Sequence, residues 1–126
     1  MIFGIGTDIV SISRIEEGLG RHGERFAERI LADSELDGFH AAARPASYLA
    51  KRFAAKEAMA KAMGIGFRDG LTMRQITVGH DAKGRPLIVV SGRAEDLCSE
   101  LGIGARHLSI SDEHEYAVAF VTLMSV

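Results

Sequence analysis

Two acids and a lysine, far apart in the chain, are the residues most able to do chemistry. Asp8 stands near the end of a strand-like run, and Glu57 and Lys61 lie four residues apart, which in a helix puts them on one face in the favourable acid-before-base order. As structure alone, that spacing is a weak surface pair, and Asp8 is a cap for the turn leading into 11–16. As chemistry, two converging carboxylates with phosphate oxygens and water make the oxygen-rich shell that Mg2+ prefers. The surroundings of Glu57 favour an anionic ligand. Between Arg44 and Arg68 the basic residues are Arg44, Lys51, Arg52, Lys56, Lys61 and Arg68, and the only acid is Glu57. In a chain of 15 basic and 17 acidic residues this concentration suggests a site for a multiply phosphorylated ligand, with a plain solvated face as the alternative. Lys56 projects into an apolar stripe, where its charge is costly unless the stem snorkels or the ammonium meets an anion, so it reads as part of a functional edge. Farther on, alternation puts His107, Ser109 and Ser111 on one face of a strand over 106–112, where imidazole and hydroxyls can meet phosphate or amide groups or simply face water.

These residues need elements to hold them. Residues 2–10 read as a strand with Phe3, Ile5, Thr7 and Ile9 on one face and Gly4, Gly6, Asp8 and Val10 on the other. The two glycines are expected to leave open room above Asp8. Residues 11–43 read as short helices broken at Gly18, Gly20, Gly23 and Gly38. Pro45 suits a first helical turn, and 46–63 is the clearest helix, with Leu49, Phe53, Ala60 and Met63 in one apolar stripe and Glu57 at its edge. Gly64, Ile65 and Gly66 end it. Strands follow over 75–79 and 86–91, joined by a hairpin loop at 80–85, then a helix over 92–101 and a closing hairpin that turns near 113–115. The order predicts an α+β fold, a single domain over 1–126 with a mainly antiparallel sheet and a long central helix.

Composition narrows the classes further. The chain has 126 residues, 47% of them hydrophobic and 25% charged, which fits one globular domain. A net charge of −2 gives no global attraction to nucleic acid. The one cysteine, Cys98, allows no internal disulfide and reads as a buried, idle thiol. Neither a signal peptide nor a membrane span is evident, which predicts a cytoplasmic protein. The Gly4-Ile5-Gly6 start lacks the third glycine of a dinucleotide fingerprint, having Ile9 there, and neither a phosphate loop nor a nucleophile elbow occurs.

Three segments together suggest a family: Gly6-Thr7-Asp8-Ile9-Val10 with Arg14-Ile15-Glu16, the run from Arg52 to Lys61, and His107-Leu108-Ser109-Ile110-Ser111. From first strand to last the chain resembles the holo-acyl-carrier-protein synthases, the small bacterial 4'-phosphopantetheinyl transferases. The Lys56-Glu57-Ala58 segment followed by Lys61 is the most specific part; Gly84-Arg85-Pro86 is also similar, and Asp112 stands where some relatives carry histidine. The resemblance implies a 4'-phosphopantetheinyl transferase-like fold. It also implies transfer of the phosphopantetheine arm of coenzyme A to a serine of apo acyl carrier protein, releasing adenosine 3',5'-bisphosphate, in support of fatty acid biosynthesis. By the same resemblance Asp8 and Glu57 would hold Mg2+, Glu57 and Lys61 would be catalytic, and the proton acceptor stays open between Glu57 and a water on the metal. Coenzyme A would meet Arg52, Lys61, Gly64, Arg85, Pro86, His107 and Ser109. Arg14, Arg21 and Arg25, on one face if their segment is a single helix, would dock the acidic carrier protein. Relatives of this size form homotrimers with the coenzyme in a cleft between subunits. The rival readings are a non-catalytic module that binds coenzyme A or another nucleotide, and a structural trimer whose charges are only surface.

Overall fold

The computed structural model describes residues 1–126. The chain opens with β1 (Ile2–Ser11), then three short helices, α1 (Ile12–His22), α2 (Glu24–Ile30) and α3 (Asp33–Ala41), and the long α4 (Pro45–Met63). A 3-10 turn (Met73–Gln75) leads to β2 (Ile76–His80) and β3 (Pro86–Val90). The chain closes with α5 (Gly92–Glu100), β4 (Ile103–Asp112) and β5 (Tyr116–Ser125). Every strand pairing is antiparallel, but the strands form two sheets instead of one: β1-β5-β4, and the hairpin β2-β3. The Arg106 Nε–H donates to the Ile88 carbonyl at 3.3 Å and ties β4 to the hairpin. No helix is long and apolar enough to cross a membrane.

α4 is the centre of the molecule and is bounded as its ends dictate. Pro45 opens it where an amide hydrogen has no helical partner, and Gly64 closes it in the left-handed conformation at φ +83°. It is not amphipathic in the expected way. Ala50, Ala54, Ala55, Ala58, Met59, Ala60 and Met63 are all buried, so the helix is enclosed on most of its circumference instead of along one stripe, and Phe53 is only half-buried. Alanine makes that enclosure possible because β1 and β5 can approach the helix backbone closely.

The glycines correct the sequence reading twice. Gly4 and Gly6 leave no open room: a Cβ at Gly4 would collide with the Ala62 carbonyl, and one at Gly6 with the Ala58 carbonyl. They bring β1 into backbone contact with α4. Gly18, Gly20 and Gly38 break nothing, since α1 and α3 run through them. A side chain at Gly18 would strike the Phe26 ring and one at Gly38 the Tyr48 ring, so these two glycines make room for aromatics. Of the four glycines only Gly23, at φ +59°, lies at a break, and the next break falls at Leu31 and Ala32, in extended backbone without a glycine.

Candidate active site

Sheet register decides which side chains can meet. In the rows across β1, β5 and β4, Asp8 pairs with Ala119 and Ala119 with Ile110, whereas Thr7 pairs with Phe120 and Phe120 with Ser109. Ala119 is fully buried and Phe120 is 48% exposed, so the Asp8 row faces α4 and the Ser109 row faces away from it.

On the α4 side, the close approach at Gly6 sets Asp8 beside the helix at the turn carrying Glu57 and Lys61. The Lys61 ammonium donates to Asp8 Oδ1 at 3.0 Å and to the Thr7 carbonyl at 3.1 Å. Glu57 is pushed above the ordinary carboxylate range, first by burial and then by the negative charge of Asp8, with Lys61 opposing. Asp8, Arg14, Phe26, Phe53, Glu57 and Lys61 line a single cavity of about 500 Å³. Thus the expected convergence of Asp8, Glu57 and Lys61 is present, and Arg14 joins it from α1.

No three His, Cys, Asp or Glu side chains are grouped to cage a metal. Two carboxylates, one of them made costly to ionise by burial and by its neighbour's charge, open to a cavity with room for phosphate and so fit Mg2+, which binds through one or two carboxylates and completes its shell with water and substrate phosphates. The donors are all oxygen, as a hard cation requires.

A second cavity, of about 200 Å³, lies where α4 meets the hairpin and is lined by Lys51, Arg52, His80, Gly84, Pro86 and Asp112. Arg52 and Pro86 meet here as expected. Arg85 sits in the adjoining loop, whose shape is set by Asp81: its Oδ1 accepts the Lys83 and Arg85 amide hydrogens at 2.9 Å each, which holds the Asp81 carboxyl below its usual range. Gly64 is exposed at the end of α4.

Other expectations need correction. Lys56 is not at a functional edge but fully buried, with its ammonium 2.6 Å from Glu35 Oε1 and 3.0 Å from the Met73 carbonyl. Burial lowers its proton affinity and Glu35 restores part of it. The sequence reading missed Glu35, which is 3% exposed and also accepts the Ala32 and Val78 amide hydrogens. The signal was there, because a buried lysine requires a buried anion and Glu35 lies one turn before the buried Phe39. His107 and Ser109 are on the outward face of the sheet, across it from Asp8, so one chain does not bring them to the carboxylates. Arg14 and Arg21 are both on α1, but Arg25 lies beyond the break at Gly23, so the three do not share one helix face.

The comparisons with known proteins agree with one another. The model of the 4'-phosphopantetheinyl transferase superfamily matches residues 4–121. A holo-[acyl-carrier-protein] synthase of Vibrio cholerae serotype O1 (strain M66-2) is 54% identical over 123 residues, covering 98% of each chain. Among solved structures, holo-[acyl-carrier-protein] synthase from Neisseria meningitidis superposes with a TM-score of 0.95 at 47% identity, covering 99% of this chain and 100% of that one. The Helicobacter pylori enzyme in complex with coenzyme A superposes with a TM-score of 0.84 at 34% identity, over 95% of this chain and 99% of that one.

Proposed function

The chain belongs to the 4'-phosphopantetheinyl transferase superfamily, and we propose that it moves the phosphopantetheine arm of coenzyme A onto a serine of apo acyl carrier protein, as a holo-[acyl-carrier-protein] synthase serving fatty acid biosynthesis in the cytoplasm. The single observation that carries the assignment of roles is the meeting of Asp8, Glu57 and Lys61 in one cavity.

In the reaction the serine oxygen forms a bond to the phosphorus bearing the pantetheine arm. The bond from that phosphorus to the bridging oxygen breaks, and adenosine 3',5'-bisphosphate leaves with the electron pair. Asp8 and Glu57 would hold Mg2+, which when bound neutralises pyrophosphate charge. Lys61, already within 3.0 Å of Asp8, places a positive charge where negative charge grows on the leaving phosphate. Glu57 opens to the same cavity, and its carboxylate would take the serine proton there. Arg14 at the cavity rim, with Arg21 and Arg25 exposed nearby along the chain, offers positive charge to an acidic carrier.

The basic cavity at Arg52 and the outward-facing His107 and Ser109 lie apart from the carboxylates within one chain. A homotrimer whose neighbours bring these groups together would reunite the coenzyme A set comprising Arg52, Lys61, Gly64, Arg85, Pro86, His107 and Ser109. The outward sheet face supports such packing, with Ile5 59%, Ile9 64% and Phe120 48% exposed.

The test is incubation of the protein with coenzyme A, Mg2+ and an apo carrier protein. One added phosphopantetheine arm in the carrier's intact mass is expected. Tight coenzyme A binding with an unchanged carrier would point instead to a non-catalytic coenzyme A or nucleotide-binding module. Sedimentation should give three copies per particle. At low coenzyme A, co-expressed Glu57→Gln and Arg52→Ala chains should show more activity than either has alone, and failure to do so would place both groups in one subunit's site.

A further inference from the structure

Arg52 is held in an unusual way for a surface-cavity arginine. Its Nε lies 3.3 Å from Glu35 Oε2, yet that buried N–H makes no hydrogen bond of good geometry. Its guanidinium carbon stands 3.8 Å from the centroid of the Tyr48 ring. Glu35 is the one carboxylate paired with it, and beyond Tyr48 and Glu35 the residue lines the basic cavity with Lys51 and His80. Charge from one side and a ring face from the other therefore fix the group.

The clamp is itself built into the fold. The Tyr48 hydroxyl donates to the Glu35 carbonyl at 2.7 Å, and its ring packs 6.3 Å from that of Phe39. Gly38 must lack a side chain for the ring to lie there. Glu35 in turn is pinned by Lys56 and by the Val78 amide. A stacked guanidinium keeps its edge free for bidentate phosphate binding, and a fixed one loses less rotamer freedom when it binds.

We propose that Tyr48 is a positioning residue which, with Glu35, holds the Arg52 guanidinium so that its terminal nitrogens face a phosphate of coenzyme A. This rests on the assignment of the Arg52 cavity to coenzyme A. Tyr48 touches no substrate in this account; it acts by making Arg52 ready to bind.

The experiment measures steady-state transfer from coenzyme A by Arg52→Ala, Tyr48→Leu, Tyr48→Phe and the Arg52→Ala/Tyr48→Leu pair, each checked for a wild-type circular dichroism spectrum and melting curve. Tyr48→Leu should raise the KM for coenzyme A by roughly tenfold with little change in kcat. Tyr48→Phe, which keeps the ring, should restore a wild-type KM. In the Arg52→Ala background Tyr48→Leu should add nothing, because its effect runs through the arginine. A KM unchanged in Tyr48→Leu while Arg52→Ala raises it, a Tyr48→Phe as weak as Tyr48→Leu, or additive effects in the pair would each overturn the positioning role. A KM unchanged in Arg52→Ala would instead overturn the assignment of the cavity, and the positioning role with it.

Discussion

Lys56 and Lys61 stand five residues apart on the same helix, each paired with a carboxylate from another element, yet they serve different ends. Lys56 is fully buried, and its ammonium reaches Glu35 and the Met73 carbonyl; Glu35 itself accepts two further amide hydrogens. Such a pair is closed, with its members' bonding capacity spent inside the fold, and it locks α3, α4 and β2 together. Lys61 is 53% exposed, and its partner Asp8 faces a cavity beside a second carboxylate that is costly to ionise. That arrangement is open, with capacity left for a ligand. The contrast teaches that charge in a core-facing position identifies function only when its bonds are left incomplete.

The largest expected effect is on the closed pair. Glu35→Gln strands the Lys56 ammonium and should cost about 3–5 kcal/mol of stability in urea unfolding, whereas Glu35→Gln with Lys56→Met should regain most of it. A single variant within about 1 kcal/mol of wild type would erase the distinction between the two pairs. Next comes the packing that only the open pair needs. Gly6→Ala sets a methyl against the Ala58 carbonyl and should cost about 1–3 kcal/mol, with loss of transfer as β1 and Asp8 move off α4. Gly20→Ala, with nothing within 4 Å, should stabilise by about 0.4–1 kcal/mol. Equal penalties at the two glycines would show that close approach does not govern the site. Lys61→Met should change stability by less than about 1 kcal/mol while transfer collapses, and wild-type transfer would remove the lysine from the reaction.

The smallest effect is a matter of sign. Glu57 binds its proton more tightly in the folded chain than in the unfolded one, so its contribution favours the fold at low pH and is lost as pH rises through the raised folded value. Without divalent cation, Glu57→Gln should therefore melt slightly above wild type at neutral pH, and the gap should close near about pH 4. Added Mg2+ should raise the melting temperature of wild type and not of the variant. A variant that melts below wild type at neutral pH without cation would show that Glu57 is not strained by its setting.

Much of this could be read from the residues. The alternation in β1 and the alanine-rich run from Pro45 to Gly64 follow from local pattern, and the Asp8, Glu57 and Lys61 set emerged from residue type, spacing and resemblance. What failed depended on contacts between elements. Gly4 and Gly6 look the same in sequence whether they open space or admit a helix, and only the position of Ala58 and Ala62 decides it. Lys56 looked functional because its partner, Glu35, lies 21 residues away on a helix whose orientation no periodicity reveals. His107 and Ser109 share a face as alternation requires, but the face points away from Asp8, a fact set by how β5 pairs between β1 and β4.

The most direct measurement is the intact mass of an apo carrier protein after incubation with coenzyme A, Mg2+ and either the wild-type chain or Glu57→Gln at matched, folded concentration. One phosphopantetheine arm added by the wild type and none by the variant is the predicted result. An arm added equally by both would contradict the assignment of the open carboxylate pair as the seat of the chemistry.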